Sequence, residues 1–216
     1  MAELILVRHG QANSHATDEA SYDKLSELGH TQARWLGEHL RATNPHFDHV
    51  ITGTLRRQKE TAAGMGYTQT RVDGRLDELQ YFAMAAALEA EHGIVTPNDP
   101  TEFAAHLPKM IGYWAADKVK TVPERFADFH ARTTGLVEEV CEGHGRVLLV
   151  TSGGVIGTIL RHVLHLSDEG MAKIMLQVMN SSVHRLEYVH GQLMLGSFNA
   201  TPHLDIPGRE HARTFV

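Results

Sequence analysis

Apolar residues recur along this chain in two alternating rhythms. Leu4-Ile5-Leu6-Val7 is an unbroken apolar run, the pattern of a strand covered on both faces, and it stops at Arg8-His9-Gly10. From Ser26 the spacing changes to three and four. Leu28, Ala33, Leu36 and Leu40 share one side of a predicted helix, which Asn44-Pro45 closes. Residues 47–52 predict a second strand ending at Gly53, and a helix opens near Thr54 and runs through Ala63. Residues 147–151 repeat the buried-strand pattern. Ser152-Gly153-Gly154 follows, then a helix carrying Val155, Ile156, Ile159, Leu160 and Val163, and Ser167 caps a further short helix. Residues 183–189 and 192–198 alternate around His190-Gly191 and predict a β-hairpin.

Residues 81–123 break this rhythm with a Met/Ala-rich stretch and the loop Thr96-Pro97-Asn98-Asp99-Pro100. Asp99 is placed to cap a helix with Pro100 in its first turn, and Phe103, Leu107, Met110, Ile111 and Trp114 then recur at helical spacing. Phe126, Phe129, Thr133, Leu136, Val137 and Val140 mark the next helix, and both stripes read as core. The order predicts an α/β three-layer sandwich: a mostly parallel central sheet flanked by helices, in one domain over residues 1–216, with a small helical cap insertion at residues 81–123. Ligands of such sheets collect at the carboxyl ends of the strands, where Arg8-His9-Gly10, Thr52-Gly53 and Ser152-Gly153-Gly154 fall.

Composition narrows the function. The chain has 216 residues and a formal net charge of −6, which argues against nucleic-acid and anionic-membrane partners. Cys141 is the sole cysteine, so no intrachain disulfide forms and a reducing, cytoplasmic setting is expected. The N-terminal apolar run is too short for a signal-peptide core or a membrane span. Sixteen histidines invite a metal reading, but none stands with Cys or carboxylates at convincing ligand spacing, so no metal and no cofactor are expected.

Arg8-His9-Gly10 joins three useful properties. A guanidinium grips two phosphoryl oxygens at once, a neutral imidazole is a competent nucleophile toward phosphorus, and Gly10 lets backbone approach an anion. Arg56 and Arg57 begin a predicted helix, where cations oppose the macrodipole; a bound dianion would remove that conflict.

Leu6-Val7-Arg8-His9-Gly10-Gln11 and the later Leu55-x-Arg57 to Thr61-Ala62 pattern resemble the histidine phosphatase superfamily, which includes phosphoglycerate mutases. Leu25 to Gly29 with Gln32-Ala33, Leu76-Asp77-Glu78, Val150 to Ile156 and Asn199 to Leu204 extend the resemblance in order over nearly the whole chain. It implies that His9 takes the phosphoryl group as a phosphohistidine, that Arg8 and Arg57 clamp its oxygens, and that Glu78 rather than Asp77 protonates the leaving oxygen. Gly10, Gln11, Asn13, Ser152 and Gly153 complete the expected phosphate and substrate contacts. The expected activity is metal-independent hydrolysis of a small phosphorylated metabolite.

One position departs from the family pattern. Ser152 stands where most members carry a second histidine, and losing one preorganised donor costs a factor on the order of 100 to 1,000. Ser152 could substitute, another histidine such as His184 or His203 could enter the pocket, or only phospho-ligand binding could survive. A mutase-type phosphotransferase is the remaining alternative, disfavoured by a cap whose only lysines are Lys109, Lys118 and Lys120. The terminal hairpin could cover a sheet edge or pair with a second chain as a homodimer.

Overall fold

The computed structural model describes residues 2–13, 16–44, 46–143 and 145–215. Strands β1 (Ala2–Arg8), β2 (His49–Thr52), β3 (Arg71–Val72), β4 (Gly145–Thr151), β5 (Val183–Val189) and β6 (Gln192–Ala200) form one sheet in the order β3-β2-β4-β1-β5-β6. The pairings β1/β4, β2/β4 and β2/β3 are parallel, whereas β1/β5 and β5/β6 are antiparallel. The sheet is therefore mixed, with its parallel half built by helical crossovers and its antiparallel edge by the terminal hairpin.

The helices are α1 (Glu19–Tyr22), α2 (Glu27–Thr43), α3 (Arg56–Gly64), α4 (Tyr81–His92), α5 (Pro100–Ala115), α6 (Phe126–Glu142), α7 (Gly153–Leu164) and α8 (Asp168–Gln177). Alternation along the central strands sorts them into two layers. Ile5, Val7, Leu148 and Val150 pack with Ala33, Leu36 and Leu40 of α2 and Ala62 of α3. Leu4, Leu6, Val147 and Leu149 face the other way onto Phe129, Leu136 and Val137 of α6 and Val155, Ile156 and Ile159 of α7. Both faces of β1 and β4 are thus buried, which is why their sequences read as continuous apolar runs.

The caps follow local chemistry. Ser26 accepts from the Gly29 N–H, Asp99 from Thr101 and Glu102, and Ser167 from Gly170. The second strand starts at His49 rather than residue 47, with Phe47 packing below it as a partly buried side chain. Helix α3 starts at Arg56, and Leu55 before it offers no side-chain cap. The Met/Ala-rich stretch is helix α4. Pro45, expected to close α2, lies outside the described residues. Among the described residues, no helix is long and apolar enough to cross a membrane.

Candidate active site

Strand β1 delivers Arg8, His9 and Gly10 to its carboxyl end. The His9 N–H donates to the Thr151 carbonyl at 2.8 Å and the Gly10 N–H to Thr61 Oγ1 at 3.0 Å. A Cβ on Gly10 would lie 2.5 Å from the Gly29 carbonyl oxygen, so this approach to the first turn of α2 requires glycine. His9 Nδ1 lies 2.7 Å from the Gly10 carbonyl oxygen. A carbonyl only accepts, so Nδ1 carries the proton and Nε2 the lone pair. Arg57 Nε donates to that lone pair at 3.3 Å. Burial, then the charges of Arg57 and Arg8, hold the imidazole well below its ordinary value, and His9 is neutral.

Arg57 lies in the first turn of α3, and an acid from another segment resolves the conflict of a cation at a helix N-terminus. Asp23 accepts from the Arg56 N–H at 3.0 Å and the Arg57 N–H at 3.1 Å, the work of an N-cap, and pairs with Arg57 Nη1 at 3.0 Å. The Arg57 guanidinium also lies over the Tyr22 ring, 5.0 Å from its centroid. Arg8 Nη1 donates to the carbonyls of Val178 and Phe215, while its buried Nε has no protein partner. Burial draws the Arg8 guanidinium below its ordinary value, with Tyr22 and Glu78 acting the other way.

Above these groups opens a cavity of about 330 Å³. Of the residues expected from sequence, Arg8, Asn13, Arg57, Glu78 and Gly153 line it. Glu78 is oriented by two amides: Oε1 accepts from Leu79 N–H at 2.9 Å and Oε2 from Gly154 N–H at 2.8 Å. The rival Asp77 is engaged elsewhere, accepting from the Thr54 N–H and hydroxyl. His9 is buried and bonded through Nε2 to the lining Arg57, and Gly10 is buried beside it.

Two further expected residues, Gln11 and Ser152, are not among the lining residues. Gln11 does not face the cavity: its Oε1 accepts from the Ser26 hydroxyl at 2.8 Å and its N–H donates to Gln32, so it braces the turn against α2. Ser152 is fully buried as the N-cap residue of α7 and is not among the lining residues; its Oγ accepts from Gln58 Nε2 at 2.9 Å. Nor does a replacement histidine enter. His184 Nδ1 accepts from the Asn199 N–H at 3.2 Å, and its Nε2 meets Ser182 Oγ at 3.0 Å. His203 Nε2 meets Ser181 Oγ at 2.8 Å. Burial pulls both imidazoles down to about 3, and neither lines the cavity.

Four groups here were not anticipated from sequence: Asp23, Tyr22, Glu19 and Phe215. Glu19 lines the cavity and accepts from the Phe82 N–H at 2.8 Å; burial raises its carboxyl above the ordinary value. No local pattern marks these residues, because each is defined by a partner far along the chain. Among the described residues, no three His, Cys, Asp or Glu side chains gather as a metal site. The arrangement can hold a dianion between two guanidiniums, with an imidazole lone pair bonded to one of them and a carboxyl lining the same cavity.

A family model described as histidine phosphatase superfamily (branch 1) matches residues 4–201. A broad-specificity phosphatase of Saccharomyces cerevisiae is 26% identical over 211 residues, covering 93% of this chain and 86% of that protein. A mutant phosphoserine phosphatase from Entamoeba histolytica, solved with phosphoserine, superposes with a TM-score of 0.70 at 20% identity, covering 94% of this chain and 100% of the other. A mycobacterial glucosyl-3-phosphoglycerate phosphatase gives a TM-score of 0.65 at 25% identity, covering 92% of this chain and 99% of the other.

Proposed function

The chain belongs to the histidine phosphatase superfamily and is a phosphatase of that family, and from this premise we propose that it hydrolyses small phosphomonoesters through a phosphohistidine on His9, without a metal. The observation that carries the reading is the His9 ring, whose Nδ1–H is tied to the Gly10 carbonyl so that the Nε2 lone pair is directed to Arg57. A phosphoryl oxygen is a stronger acceptor than an imidazole nitrogen, so the incoming group takes over the Arg57 Nε–H and frees Nε2 for attack.

Nε2 then forms the N–P bond as the ester P–O bond breaks, and the Glu78 carboxyl gives its proton to the departing oxygen. In the second half, Glu78 takes a proton from water, which attacks phosphorus and breaks the N–P bond, releasing inorganic phosphate. Arg8 and Arg57 meet the phosphoryl charge, the unpartnered Arg8 Nε being free to donate, and the α7 N-terminus at Gly153 adds its dipole. These donors stand in for the histidine that Ser152 replaces, and Ser152 acts through Gln58 to seat α7. Asn13 contacts substrate, and α4 and α5 serve as a cap over the site within a single domain. With its one cysteine the chain suits the cytoplasm.

The test is turnover of p-nitrophenyl phosphate in excess chelator, with the phosphoenzyme trapped by rapid denaturation. Wild type should turn over and carry an acid-labile phosphoryl group, and His9→Ala should do neither. Vanadate binding without turnover in wild type would instead make this a phospho-ligand receptor.

A further inference from the structure

The cavity is divided in charge. Arg8 and Arg57 are the only Lys or Arg side chains among its described lining residues, and both lie at the phosphoryl end. Around the remainder stand Tyr81, Phe82, Phe103, Leu107 and Met175, together with the carboxylates Glu19 and Glu78 and, at the rim, Asp99. The aromatic groups are continuous from nucleophile to far wall. The His9 and Tyr22 ring centroids are 6.3 Å apart, Tyr22 and Phe82 6.5 Å, Phe82 and Tyr81 5.7 Å, and Tyr81 and Phe103 5.2 Å. The first three contacts are edge-on and the last tilted, so the rings pack against one another as a connected series.

Resting on the phosphatase reading above, we propose that the substrate is a phosphomonoester whose organic part is aromatic or apolar and carries no second anion. A carboxylate or second phosphate on the leaving group would lose its hydration beside Glu19 and meet no Lys or Arg among the described lining residues beyond the phosphoryl end. An aryl or alkyl group loses nothing of that kind and buries its surface against Phe82, Tyr81, Phe103 and Leu107. The cavity of about 330 Å³ holds a phosphoryl group with one or two fused rings, at the small end of ligand pockets.

The experiment compares kcat/KM for 1-naphthyl phosphate and 3-phosphoglycerate, in wild type and in Phe103→Arg. Phe103 is only partly buried, so the variant should fold, and it adds a cation to the far wall. Wild type should favour the naphthyl ester by a factor on the order of 100, mostly through KM, and Phe103→Arg should shrink that ratio at least about tenfold. Equal or better use of 3-phosphoglycerate by wild type would overturn the proposal. Calorimetric affinities for benzylphosphonate and phosphonoacetate, which cannot be hydrolysed, read the same preference without turnover. Preference for benzylphosphonate with no turnover of any ester would refute the hydrolase and leave this substrate class standing. Turnover with no preference in either assay would refute the substrate class alone.

Discussion

A histidine can act as a nucleophile toward phosphorus only in its neutral form and only from the nitrogen that carries no proton. The Gly10 carbonyl fixes which nitrogen that is, and burial with two neighbouring guanidiniums fixes the charge. In the proposed mechanism, proton supply then falls to Glu78, held by the Leu79 and Gly154 amides at the cavity wall. Replacing it as Glu78→Gln retains the side chain's size and one carbonyl acceptor but removes the proton. Loss should therefore depend on the leaving group. Phenyl phosphate, whose phenolate needs the proton, should lose a factor of about 100 to 10,000 in kcat, whereas p-nitrophenyl phosphate, with a much more acidic phenol, should lose far less. Steady-state kinetics on both esters check this. Equal losses would mean that Glu78 only shapes the pocket.

At the scale of elements, the site depends on a helix that begins without a cap of its own. Leu55 contributes no side-chain bond, and Asp23, more than thirty residues earlier, serves the first amides of α3 while pairing with Arg57. Asp23→Ala should lower stability by about 1–2 kcal/mol, the range of lost N-caps, and reduce kcat at least tenfold as Arg57 loses its orientation. Asp23→Asn keeps an acceptor for the amides and should recover most of the stability but not the rate; urea melts and p-nitrophenyl phosphate kinetics separate the two roles. Asp23 also shows where sequence reading stops. The runs that form β1 and β4 are buried on both faces, and the spacings of α2, α5, α6 and α7 bury one stripe each, so burial is written locally and these elements were legible. Arg8, Arg57 and Glu78, expected from the motifs, share the lining of one cavity, and His9 is bonded to Arg57 beside it. Asp23, Glu19 and Tyr22 enter only through the short helix α1, which the apolar pattern does not mark. The two-residue strand β3 is too short for any periodicity. Ser152 was identifiable as a departure, but the direction of its hydroxyl depends on Gln58, which only the folded chain places beside it.

For the whole molecule, the parallel half of the sheet directs β1, β2 and β4 to one end, and the antiparallel hairpin closes the other side of β1 against β5. That packing buries four of the described histidines: His9 beside the cavity, His106 on α5, His184 on β5 and His203 in the C-terminal segment. In the unfolded chain each titrates near its ordinary value of about 6.5, whereas in the folded chain burial holds all four lower, His184 and His203 at about 3. Below about pH 6.5 the unfolded chain therefore binds protons that the folded chain refuses. Stability is complete above that value and falls as the solution is acidified, by up to about 1.4 kcal/mol per pH unit for each such group. Carboxylates stabilised in the fold, such as Asp73 at about 2, lose their contribution only at lower pH and do not add to the fall between about pH 6.5 and 5. Unfolding free energies from urea melts across that interval should drop steeply in wild type. His184→Gln, which retains a donor for Ser182, should flatten the slope by about one proton's worth. An unchanged slope in the variant would show that His184 takes up its proton in the folded protein despite its burial.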